Sequence, residues 1–163
     1  MVRGRALETR YGSLEARGRS LEARRGLEAR EAGEPFAAQT VDVLAAAAAS
    51  VVWDWSKVAL VANADGALPG IQTYALLIWN GRGFEGWMPA EATEDLNRVL
   101  ARWRAELERL SRPVWAALFV GVVNDGGRLR SRWIVADDGD FDAWRIRLGE
   151  SNVPMAERGL AGL

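Results

Sequence analysis

The residues with the most capacity for chemistry are the aspartates of Asp137-Asp138-Gly139-Asp140-Phe141-Asp142. Clustered carboxylates can act as general acid and base, or gather a hard divalent cation. Counted as a calcium loop from Asp138, the third and fifth positions fit. The sixth is Ala143, where the turn needs glycine, and the twelfth is Gly149, where a bidentate glutamate belongs. With Trp133, Phe141 and Trp144 close by in sequence, the segment reads instead as an anionic patch with aromatic anchors, suited to basic residues of a partner. A solvated acidic loop at a strand end is the plainer alternative.

Other routes to catalysis are narrow. The chain has no histidine and no cysteine, which removes Ser-His and Cys-His nucleophiles, thiolate metal sites and disulfides. Lys57 is the only lysine. The segment Asn80-Gly-Arg-Gly-Phe-Glu-Gly86 is glycine-rich but lacks the Lys-Ser/Thr of a phosphate loop and opens no helix. Arg128, Arg130 and Arg132 share one strand face, where they could grip phosphate or carboxylate; pairing with neighbouring acids across the strands is the expected use. A net charge of −1 gives no electrostatic case for nucleic acid or an anionic membrane. No run approaches the roughly 20 apolar residues of a membrane span, and no apolar core follows the basic N-terminus to make a signal peptide. The expectation is a cytoplasmic protein with no cofactor and no catalytic activity.

Three regions organise the 163 residues. Residues 1–35 repeat a Leu-Glu-Ala-Arg unit, with leucines at 7, 14, 21 and 27. One leucine per heptad buries little, and Gly12, Gly18 and Gly26 each cost about 1 kcal/mol against helix, so this reads as a flexible tail ended by Glu34-Pro35. Residues 36–148 form the domain. Pro35 suits a first helical turn, and Phe36 to Val52 follows as a helix with Val41, Leu44 and Ala48 on one face. Strands are expected at 57–64, 71–80 and, briefly, 84–88, separated by turns at Asp65–Gly70 and Asn80-Gly81. Ala90 to Leu110 is the clearest helix, with Leu96, Val99, Leu100, Trp103, Leu107 and Leu110 spaced by three and four. Strands at 114–123 and 128–136 flank Asn124-Asp-Gly-Gly127, a hairpin turn. Residues 149–163 are glycine-rich and read as a loose C-terminal segment with one helical turn near Met155–Arg158.

The fold class that follows is α+β: a mostly antiparallel sheet of four or five strands, two helices on one face, and the other face partly wet. Of the eight tryptophans, Trp79, Trp103 and Trp115 are expected in the core; Trp53, Trp87 and Trp144 lie in loops or at element ends.

From about Val41 to Asp142 the chain resembles the YezG-like family of bacterial immunity proteins. The residues that carry the resemblance are Trp115-Ala-Ala-Leu118, Asn124-Asp-Gly-Gly127 and the strand ending Trp133-Ile-Val-Ala-Asp-Asp138. The resemblance implies a protein that binds and neutralises a cognate secreted toxin domain. The residues expected at that interface are Asp137, Asp138, Asp140, Asp142, Trp133, Phe141 and Trp144. The alternative is a small-ligand-binding or regulatory domain, whose site would be a pocket between sheet and helix.

Overall fold

The structure is a computed structural model that describes residues 2–64, 72–86, 89–137, 140–146 and 149–163; at 2–20, 22–23, 26 and 72–73 the description covers the backbone alone. The expected turn at 65–70, Trp87 and Asp138 lie outside the described residues. In chain order the elements are α1 (Val2–Val51), β1 (Lys57–Ala64), β2 (Gln72–Trp79), β3 (Phe84–Gly86), α2 (Ala90–Arg109), β4 (Ala117–Asp125), β5 (Arg128–Ala136), a 3-10 turn (Phe141–Trp144) and α3 (Val153–Leu160).

The strands form one antiparallel sheet in the order β3-β2-β1-β4-β5. β1 lies at its centre, and Val58 to Ala62 are fully buried, as a strand covered on both faces must be. β4 and β5 are joined by a two-residue turn in which Gly126 and Gly127 have φ of 61° and 97°. Positive φ at both positions is the type I′ hairpin, whose twist matches its strands. The Asn124 side chain accepts from the Gly127 N–H at 2.9 Å and fixes the turn.

Both long helices pack on one face, where alternate side chains of the sheet (Val58, Leu60, Leu76, Ile78, Leu118, Val120) meet Leu44 and Ala48 of α1 and Leu96, Leu100, Trp103 and Leu107 of α2. Trp103 is the hub. It stacks with Phe36 at 6.2 Å and meets Trp115 and Trp133 edge-on at 6.1 and 5.3 Å.

Two boundaries differ from the sequence expectation. α1 does not start at Pro35 but runs through it. Proline lacks the N–H that would bond residue 31 and crowds that carbonyl, a cost of about 3 kcal/mol or more in a helix interior. Tertiary contacts on both sides offset it. Gly33 is close enough to Trp103 and Trp133 that a Cβ there would lie 3.0 and 3.1 Å from their rings, and Phe36 stacks on the same Trp103. Ala29 packs on this core, and Glu28 pairs with Arg112. The packed domain therefore begins near residue 28 rather than 36.

The second difference is the C-terminal segment. Instead of lying loose, residues 153–160 form α3, which buries Met155, Ala156, Gly159 and Leu160 against the opposite face of the sheet. With Trp144 they cover Ala59, Val61, Leu77 and Phe119, so this face carries a second core where a wet surface was expected.

Candidate interaction surface

Sheet pleating decides where the predicted site residues go, because alternate side chains of a strand point to opposite faces. Trp133, opposite Val120 in register, points to the layer of α1 and α2. Phe141 and Trp144 belong to the layer of α3. The structure therefore separates Trp133 from the other two aromatics. Trp144 is a core residue: it is 9 % exposed, packs on Phe119 at 5.1 Å, and carries the Arg158 guanidinium 4.5 Å from its ring. Phe141 is half-buried, with Arg145 over its ring.

The carboxylates fare better as a surface. Asp137, Asp140 and Asp142 are exposed where the chain leaves β5. The Asp137 carbonyl and carboxylate both accept from the Asp140 N–H at 3.2 Å, which sets the turn, and Asp142 lies 3.3 Å from Arg145. Among the described residues no group of three or more acidic side chains is placed to hold a metal ion.

The end of the acidic segment is tethered from the sheet. Asn63 on β1 is 6 % exposed, and its amide donates to the Trp144 carbonyl at 2.9 Å while accepting from the Ile146 N–H at 2.7 Å. Both polar ends of a buried amide are satisfied, so the anchor is rigid.

The arginine row does not pair with acids as expected. Arg132 reaches α3 and donates to the carbonyls of Gly159 at 3.1 Å and Ala161 at 2.6 Å, a cation on the negative end of a helix. Arg128 and Arg130 are exposed, and among the described residues neither forms an ion pair. Gly121 and Val123, which face Arg132 and Arg130 across the ladder, offer no carboxylate, whereas Asp125 stands opposite Arg128 without a described ion pair.

A groove of about 410 Å³ lies between β5 and the two long helices, between sheet and helix as the small-ligand alternative requires, but the sequence did not signal its lining residues. Ala29 and Arg30 of α1, Trp103 and Leu107 of α2, and Trp133, Ile134 and Val135 of β5 line it. Arg30 lies 5.2 Å from the Trp133 ring. Part of the groove comes from the repeat region, whose regularity gave no signal of packing. Leu27, Leu129 and Val135 are exposed apolar side chains, and Trp53, at 97 % exposure, stands almost free in the loop after α1.

No family model matches the chain, and no curated protein matches it. No described helix is long and apolar enough to cross a membrane.

Proposed function

We propose that this chain is a non-catalytic cytoplasmic domain that binds a protein partner, and that the partner is a cognate secreted toxin domain, which binding neutralises. The observation that carries partner binding is the placement of three exposed carboxylates, Asp137, Asp140 and Asp142, at the end of an edge strand of the sheet. Such a patch steers a basic surface and fixes its register. The resemblance over Val41–Asp142 supports the toxin as the partner. The anchoring aromatic is Trp133, on the same strand, rather than the buried Trp144.

The test is co-purification with the product of the neighbouring reading frame, comparing wild type with Asp137→Ala/Asp140→Ala/Asp142→Ala. A complex that the triple variant weakens by about tenfold or more at low salt, and less at physiological salt, supports the acidic patch. Equal binding at both salts removes the patch from the mechanism, and the absence of any complex removes the toxin reading.

The groove favours a second reading, a small-ligand site. Its volume falls within the usual range for such pockets, roughly 300–1,000 Å³, and two tryptophans line it. A small apolar molecule that raises the melting temperature of wild type but not of Trp133→Ala would support this reading.

A further inference from the structure

β5 is an edge strand nine residues long, whereas β3, at the other edge, has three. A long edge is a template for another strand. The type I′ turn makes Asp125 and Arg128 a hydrogen-bonded pair, and pairing alternates from there. The backbone groups of Arg128, Arg130, Arg132 and Ile134 therefore bond to β4, and the Ala136 carbonyl accepts from the Ala116 N–H just before it. Those of Leu129, Ser131, Trp133 and Val135 point outward. Among the described residues, no backbone hydrogen bond from another segment reaches these four.

The two faces beside that edge have different chemistry. On one, Leu129 and Val135 are exposed, Trp133 is half-buried, and the groove opens between β5 and the helices. On the other, Arg128 and Arg130 are exposed and form no ion pair among the described residues, although Asp125 stands opposite Arg128 in the ladder, and Arg132 is taken by α3. A second copy fits poorly. Two β5 strands paired antiparallel about a two-fold axis share faces, so arginine would meet arginine, which is destabilising.

We propose that β5 is a strand-addition site for an extended segment of a partner protein in which apolar and acidic side chains alternate. The added backbone bonds to the outward groups of Leu129, Ser131, Trp133 and Val135. Apolar side chains of the segment turn toward Trp133, Val135 and the groove, and its acidic side chains, two residues apart, turn toward Arg128 and Arg130. The arginines discourage self-pairing and admit a strand of opposite charge. This deepens the partner-binding reading by naming the chemistry of the segment, and it does not depend on the partner being a toxin.

The probes are two blocked nine-residue peptides, one alternating valine with glutamate and one alternating valine with lysine. Each is titrated into the full chain while backbone amide signals and hydrogen exchange are followed. The glutamate peptide is expected to shift the amides of Leu129, Ser131, Trp133 and Val135, slow their exchange, and bind at least about tenfold more tightly than the lysine peptide. Arg128→Glu/Arg130→Glu should reverse that preference. Ser131→Pro removes only an outward N–H, which an edge strand tolerates, and should abolish binding. A glutamate peptide N-methylated at alternate positions should also fail against the unaltered chain. Shifts confined to Ala29 and Leu107 without slowed exchange on β5, no response to either peptide, or unchanged binding by Ser131→Pro would overturn the proposal. So would slowed exchange of the four amides in the free chain as its concentration rises, which reports self-pairing. A neighbour-encoded protein that still binds Ser131→Pro would sink strand addition but leave the function above standing. Peptide binding without any neighbour complex would do the reverse.

Discussion

Replacing Gly159 by alanine sets two physical effects against each other, and the sign of the outcome reports whether α3 is docked. Inside a helix, alanine is favoured over glycine by about 1 kcal/mol. A free or frayed α3 would therefore leave Gly159→Ala neutral or slightly stabilising. In the folded chain Gly159 is buried, and a Cβ there would lie well inside contact with the Phe119 ring. That ring is fully buried and packed on Trp144, so it has little room to retreat. The fit is reciprocal, since a Cβ at Gly121 would lie 2.6 Å from Leu160 Cδ2. Overpacking of this kind costs about 1–3 kcal/mol. Any shift of α3 also strains the Arg132 bonds to its terminal carbonyls, worth about 1 kcal/mol each. The net expectation is a destabilisation of about 1–2 kcal/mol, or a fall of roughly 2–8 °C in melting temperature for a domain of this size. Urea unfolding followed by tryptophan fluorescence measures it, with Trp144 beneath the helix as a local reporter. Phe119→Leu in the same background should recover part of the loss, giving a coupling energy of about 1 kcal/mol. A Gly159→Ala variant as stable as wild type, or more so, would refute the docking of α3 on β4.

Asn63→Ala strands the buried Trp144 carbonyl and Ile146 N–H, and should cost about 2 kcal/mol by urea unfolding. Deleting residues 1–26 should change stability little, whereas deleting 1–35 should cost about 2 kcal/mol more, because Ala29, Arg30, Gly33 and the Glu28–Arg112 pair are lost; equal stability of the two truncations would show that this part of α1 does not pack. Burial raises the Tyr74 hydroxyl to about 12, with the Arg104 charge partly opposing, and the hydroxyl donates to Asn97 Oδ1 at 2.6 Å. Its folded value lies above the unfolded 10.0, so its contribution is complete below pH 10 and is lost as pH rises toward 12. Wild type should therefore lose more stability than Tyr74→Phe across that window in pH-dependent unfolding, and parallel curves would contradict the burial argument.

What could be read from the sequence was whatever local pattern alone enforces. β1 and β5 begin and end at the residues expected, because an apolar run after Ser56 and an alternating run after the Asn-Asp-Gly-Gly turn leave little freedom. The stripe of α2 faces the core as its spacing required, with Leu100, Trp103 and Leu107 buried. The full length of α1 is not legible, because Pro35 and the glycines are local signals against helix, while the contacts with Trp103 that outweigh them come from a helix more than sixty residues away in sequence. The sequence signals only one turn of α3, near Met155–Arg158, and not its docking, because the buried stripe uses small residues, Ala156 and Gly159, which carry little hydrophobic signal; their value is the close approach to Phe119. Trp144 reads as an exposed interface residue for the same reason, since the docked helix that buries it is not legible locally. The exposed aspartates at 137, 140 and 142 were legible as a patch. The lining of the groove was not, because three elements distant in sequence build it.

Partner binding is measured by calorimetric titration of the purified chain with an inactive form of the neighbour-encoded protein. The expected result is a saturable complex whose affinity falls with salt and falls about tenfold or more in Asp137→Ala/Asp140→Ala/Asp142→Ala at low salt. No heat of binding at any salt, with both proteins folded, would contradict it.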